Sequence, residues 1–333
     1  MPGIESGKTW SRIGAEVAPT DSAASGVWGS LNEVSGYVGA GTWPAPLGAA
    51  GYFGGGSPLV TTVDRFAFPD DTRTTLATGL SAVVYGLAGM ANSGVAGYFG
   101  GGYDNVAAVS TVDKFTFPNN TRTTLGTGLS NTIYYLAGMA NSGTAGYFGG
   151  GYAGPIATVD KFAFPGDTRT TLGTGLSAAN YYLAGMADSG VAGYFGGGLT
   201  SSAVTTINKF AFPGDTRTTL GTGLATATSQ LSAMANSGVA GYFGGGYTTT
   251  TVATVEKFAF PSDTRSTLGT GLSVAMRLSA AIADSGTAGY FGGALGPSAT
   301  VDKFAFPGDT RTTLATGLSV ARYLLGGMAD GNV

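Results

Sequence analysis

Leu136-Ala-Gly-Met-Ala-Asn-Ser-Gly143, then Gly146-Tyr-Phe-Gly-Gly150, then Val159-Asp-Lys-Phe-Ala-Phe-Pro165, then Thr168-Arg-Thr-Thr-Leu172: this succession of four short strings decides the fold. The Gly-Tyr-Phe-Gly-Gly string also begins at Gly51, Gly97, Gly193, Gly241 and Gly289, with spacings of 46 to 49 residues. The third string starts at Val63, Val112, Ile207, Val255 and Val301, and the fourth at Thr72, Thr121, Thr216, Thr264 and Thr310. The first string has its Met or Ile at Met90, Met139, Met186, Met234, Ile282 and Met328. Most strings are rich in β-branched or aromatic residues, and Pro-Gly-Asp or Asn-Ser-Gly turns separate them. No stretch has the period of an amphipathic helix. Four strands in a repeat of this length predict the blade of a β-propeller.

The order of the strings predicts how the ring closes. The first Gly-Tyr-Phe-Gly-Gly, at Gly51, has no small-residue string before it, and the last small-residue string, Leu325–Ala329, has nothing after it. Residues 321–333 are therefore expected to supply the inner strand of the blade that residues 49–80 begin. Such a three-plus-one closure removes the free edges of an open array. The reading is an all-β, six-bladed propeller over residues 49–333, preceded by an N-terminal docking or linker segment, residues 1–48.

Composition narrows the chemistry. The 333 residues include 59 glycines, about 18% against a usual 7% or so. There is no cysteine and no histidine. Disulfides, Cys/His metal or haem sites and His-dependent nucleophiles are thereby excluded. Apolar content of 43% argues against disorder, and glycine does not recur every third residue as in collagen. A net charge of −3 with 11% charged residues does not provide the basic field of a nucleic-acid binder. No run of 18 apolar residues predicts a membrane helix, and the start Met1–Lys8 does not have the pattern of a secretory signal.

Twelve of the 16 basic residues occupy two repeated positions, at Lys161 and Arg169 and their equivalents. Most acids are repeated as well. A ring of binding or metal sites is one reading. A cross-strand ion pair or turn hydrogen bond on the outer two strands, copied with the blade, is the simpler one. Asp70-Asp71 is not set in a calcium-loop pattern, and no cofactor is expected.

Individuality is confined to two segments of each repeat. One follows the Gly-Tyr-Phe-Gly-Gly string, as in 103–110 and 152–157; the other precedes the small-residue string, as in 82–86 and 131–135. Because strands alternate in direction, both emerge on one face of the disc and the invariant turns on the other. Nine of the ten tyrosines outside the repeated string fall in the variable segments. Tyr85, Tyr103, Tyr134, Tyr152, Tyr181, Tyr247 and Tyr323, with the stray charges Asp104, Arg277 and Arg322, are the candidate ligand-binding residues. Tyrosine among Gly, Ser and Asn suits adaptable recognition. Tyr135 and Tyr182, next to the inner strand, have packing against the next blade as the alternative.

Residues 1–48 lie outside the period and hold all three tryptophans, Trp10, Trp28 and Trp43. Linker, docking element and plug over the disc are all open. Trp on a segment too short to fold alone points to packing on a partner or on its own domain.

The repeat Gly-Tyr-Phe-Gly-Gly … Thr-Val-Asp-Lys-Phe … Thr-Arg-Thr-Thr-Leu resembles the kelch-like propeller repeats of tailed-phage virion proteins. The stretch Ala24–Pro44, with Val27-Trp28-Gly-Ser-Leu31 and Gly41-Thr-Trp43-Pro44, is similar to a short element of phage tail and fibre proteins. The kelch Gly-Gly doublet and following aromatic are present; the blade-ending Trp is not, with Leu76 and its equivalents in that region. The resemblance implies a non-enzymatic tail or fibre component, made in the host cytoplasm and carried on the virion. Residues 1–48 would dock it to other virion proteins, and its variable face would bind a host surface glycan or protein. The alternative is an adaptor or decoration protein whose variable face meets another virion protein. A glycan-active enzyme is a third reading. The sequence leaves a homo-oligomer open. Kelch-type copper oxidases need His and Cys ligands, which this chain does not have.

Overall fold

The structure, a computed structural model, describes residues 49–330; residues 1–48, and with them Trp10, Trp28 and Trp43, lie outside the described residues. Six four-stranded antiparallel sheets make up the ring. In the third blade the small-residue string is the inner strand, Ala137–Asn141, followed outward by Ala145–Gly149, Val159–Ala163 and Thr168–Thr171. The expected closure is present: Gly326–Ala329 pairs with Ala50–Gly54, in the register Gly51↔Ala329 to Gly54↔Gly326. All 24 strands are those the strings predict.

Tyr and Phe alternate across the second strand of each blade, and every residue of that strand is buried. Each faces a different neighbour. Tyr147 stacks on Phe212 of the following blade at 5.4 Å, and the same contact runs round the ring to Tyr290 on Phe68. The flanking glycines are sockets. A Cβ on Gly146 would strike the sulfur of Met90 in the preceding blade, and one on Gly149 would lie 2.8 Å from the ring of Phe195 in the following blade. Glycine here makes room for a neighbour's side chain, so that adjacent blades interlock at core density. On the axis, a Cβ at Gly138 would meet the Gly89 carbonyl oxygen, so the inner strands touch backbone to backbone.

The charged positions of the repeat join blades, which corrects the expectation of exposed pairs within one blade. Lys161 Nζ lies 2.6 Å from Asp215 Oδ2, and the Tyr147 hydroxyl donates to Asp215 Oδ1 at 2.7 Å; Asp215 belongs to the next blade. Burial, and then the Asp215 carboxylate, push the Tyr147 hydroxyl far above its ordinary pKa. Asp215 itself has φ +53°, a backbone region that Asp and Asn tolerate best among residues with a Cβ. The joint between the first and second blades uses Arg65 and Asn120 at these positions. The acid of the third strand is also buried. Asp160 accepts from Thr171 Oγ1 (2.6 Å) across the sheet and from the Ser130 amide and hydroxyl (2.7 and 2.8 Å) on the link arriving from the preceding blade. Arg169 approaches the same carboxylate at 3.7 Å, so a cross-strand pair exists but is one part of a larger tie.

The invariant turns are tied as well. Asn141 Oδ1 accepts the Gly190 amide at 2.8 Å, and the Ser142 amide donates to Ser189 Oγ at 3.0 Å. At the seam the Asn position is Asp330, which accepts the Gly94 amide at 2.6 Å. Burial pushes the Asp330 carboxyl up to about 6, against the opposing pull of the Gly94 N–H and the Arg65 charge. The folded chain thus holds this proton more tightly than the unfolded one does. Stability is expected to fall as pH rises from the ordinary carboxylate range, about 4, to about 6. Asp330→Asn, which copies Asn92, Asn141 and Asn236, keeps the acceptor and removes the charge. Its Tm is expected to exceed the parent's at pH 7 and to match it near pH 4. Thermal melts at the two pH values check this, and a variant less stable at pH 7 would refute it.

Candidate functional site

On the variable face, each blade carries one short bridge between the link that enters it and the loop after its second strand. Tyr85 and Tyr103 exchange backbone hydrogen bonds (3.1 and 2.9 Å), as do Tyr134 and Tyr152 (3.3 and 2.8 Å) and Tyr181 and Leu199 (3.2 and 2.7 Å). Ser229 with Tyr247 and Tyr323 with Ser57 repeat the pattern, and Leu295 donates to Arg277. Seven of the sequence-predicted tyrosines and Arg277 therefore sit at one structural position, two backbone bonds fixing each pair in five blades.

The ring order brings only some of them together. Tyr85, Tyr103, Tyr134, Tyr152 and Tyr181 form a continuous arc across the second, third and fourth blades, with successive centroids 5.5, 5.3, 5.6 and 4.9 Å apart. All five are half-buried. Tyr247 lies outside the arc and stacks with the Arg277 guanidinium at 4.6 Å. Tyr323 makes no ring contact among the described residues.

Behind the arc is the mouth of the central channel, a cavity of about 110 Å³. Its rim is the next residue of each link: Gly86, Tyr135, Tyr182, Gln230, Leu278 and Leu324, all with φ between 57° and 68°. Each amide donates to the carbonyl of the preceding rim residue, from Tyr135 on Gly86 round to Gly86 on Leu324, over 2.7–2.9 Å. Tyr135 and Tyr182 stack at 4.0 Å and 25° on this rim. Both hydroxyls are pushed above their ordinary pKa, chiefly by burial. Packing is thus what these two do, with Tyr134 and Tyr181 resting against them at 4.3 and 5.1 Å.

Two predicted ligand residues have other work. Arg322 is fully buried, and its guanidinium donates to Asp64 Oδ2 (2.8 Å), Phe53 O (3.0 Å) and Thr62 O (3.0 Å). It occupies the position that Val84, Ile133 and Met276 fill in other blades, one residue before the bridge residue. Asn180 and Thr228 fill it in the remaining two blades, so the column is half polar in sequence although it is buried in all six. Asp104 turns back on its own loop, accepting the amides of Val106 (2.9 Å) and Ala107 (2.8 Å). Those two amides, Ala107 first, hold its carboxyl below the ordinary range. Asp104 positions the loop that carries Tyr103, whose hydroxyl donates to Val106 O at 3.1 Å.

Among the described residues no group of three or more acidic side chains could hold a metal ion. The chain matches no family model, and no curated protein is significantly similar to it.

Proposed function

We propose that this protein is a non-enzymatic virion component of a tailed phage, a kelch-like propeller on the tail or fibre that engages the host surface through its tyrosine arc. The arc carries the reading. It lies in the segments where the six copies differ, it is on one face, and its backbone is fixed by hydrogen bonds before any ligand arrives, which lowers the ordering cost of binding. The repeated acids are consumed by contacts between blades, which supports a scaffold rather than a catalytic role. Residues 1–48 dock the ring to other virion proteins, with Trp10, Trp28 and Trp43 as anchors.

The full chain is expected to bind host cells. Tyr134→Ala with Tyr152→Ala should weaken that binding by about tenfold or more, since central aromatics dominate interface energetics, while the melting curve stays close to the parent's. A cell-binding titration beside thermal melts checks both. Unchanged binding would move the site elsewhere, and hydrolysis of host polysaccharide by the parent chain would overturn the non-enzymatic reading.

A further inference from the structure

We infer that the ligand of the arc is an uncharged polysaccharide chain lying along Tyr85, Tyr103, Tyr134, Tyr152 and Tyr181; this rests on the host-binding reading above and names its ligand class. The first argument is charge. Among the variable segments that make the arc, 82–86, 103–110, 131–135, 152–157 and 178–182, the one ionisable side chain besides tyrosine is Asp104. Its carboxylate is spent on Val106 and Ala107. An anionic ligand would meet no cation there, and the single carboxylate is held in its own loop rather than on the rings. Arg277, the cation on this face, is stacked on Tyr247 outside the arc.

The second argument is spacing and tilt. Steps of 5.5, 5.3, 5.6 and 4.9 Å are nearly regular and close to the advance of one pyranose unit along a chain. Neighbouring rings in the arc are inclined by 35° to 85°, so none is stacked face to face on the next. By contrast, Tyr135 and Tyr182 cover each other at 25°. An exposed π-face is electron-rich and receives the polarised C–H bonds of a sugar ring. Among the described residues the hydroxyls of Tyr85, Tyr134, Tyr152 and Tyr181 have no hydrogen-bond partner. Each can donate one bond and accept others, which matches the paired donor and acceptor character of sugar hydroxyls.

The test uses the full chain on host envelopes treated with periodate, which cleaves vicinal diols, or with protease. Periodate is expected to abolish binding and protease to leave it intact, with little change as ionic strength rises. Tyr134→Phe should keep most of the affinity and Tyr134→Ala should lose about tenfold, with Val191→Ala, exposed on the face of invariant turns, as an unaffected control. Protease-sensitive, periodate-resistant binding would overturn the polysaccharide and leave the host-binding reading standing. Steep loss of binding with salt would overturn the uncharged ligand alone. No binding to untreated envelopes would overturn both.

Discussion

Arg322→Ala is expected to cost about 3–5 kcal/mol, the range for removing one partner of a buried ion pair. The guanidinium sits in the link to the closing strand Gly326–Ala329 and holds Phe53, Thr62 and Asp64 near the other end of the described chain. Its loss should show first at the seam, as faster amide exchange over 326–330 than over the equivalent inner strands. Arg322→Met should cost less, about 1–2 kcal/mol, because an apolar residue can fill the space without a cavity. The sixth blade supplies the precedent. There Met276 holds the equivalent position while Asp302, also fully buried, is satisfied by the Ser273 amide and Thr313 Oγ1. Asp64 has the same two partners in the Ser319 amide and Thr75 Oγ1. Chemical denaturation of the two variants checks the order. Equal stability of Arg322→Ala and the parent would show that the seam does not depend on this clasp.

Gly175→Val is the second large effect, at about 3 kcal/mol or more, the upper range for forcing atoms into a packed site. A Cβ there would run into the carbonyl oxygen of Ala157, which already accepts the Leu176 amide at 2.7 Å. The obstacle is backbone held by a hydrogen bond between loop and link, so no side-chain rotation relieves it. All six blades keep this glycine, at Gly79, Gly128, Gly175, Gly223, Gly271 and Gly317. Gly173, two residues earlier, has nothing within 4 Å of its Cβ site. Ala77 and Ala315 already fill that position in other blades. Gly173→Ala should therefore be neutral or slightly stabilising through the unfolded chain. Melting curves of the two variants separate steric need from glycine content. A tolerated Gly175→Val would contradict the packing described for the link.

The blade count, the identity of each strand and the closure were legible because each depends on string order and side-chain period, which a sequence carries directly. The partner of Lys161 was not. A lysine opposite Thr170 in its own sheet and a lysine reaching Asp215 in the next blade have the same repeat pattern. Periodicity says that a contact recurs, and only the angle between blades says across which gap. Arg322 misled for a related reason: a charge in a variable segment reads as surface, and with Asn180 and Thr228 beside Val84, Ile133 and Met276 its column does not look apolar, although it is buried in every blade. The tyrosines were legible as a face, and their grouping was not. Which of them touch follows from the order of the blades round the axis and from the tilt of each ring.

The three-plus-one seam has a directional consequence. Ala49, where the described ring begins, accepts the Phe68 amide at 2.7 Å beside a Phe-Pro turn, and Asp330, where it ends, takes the Gly94 amide in an Asn-Ser-Gly turn. Both ends leave from the face of invariant turns. A pull applied at either end of the described ring therefore acts on that side of the disc, on the first and second strands of the seam. The ring is two-faced by topology: both ends of the described chain meet the face of invariant turns, and the tyrosine arc lies on the other.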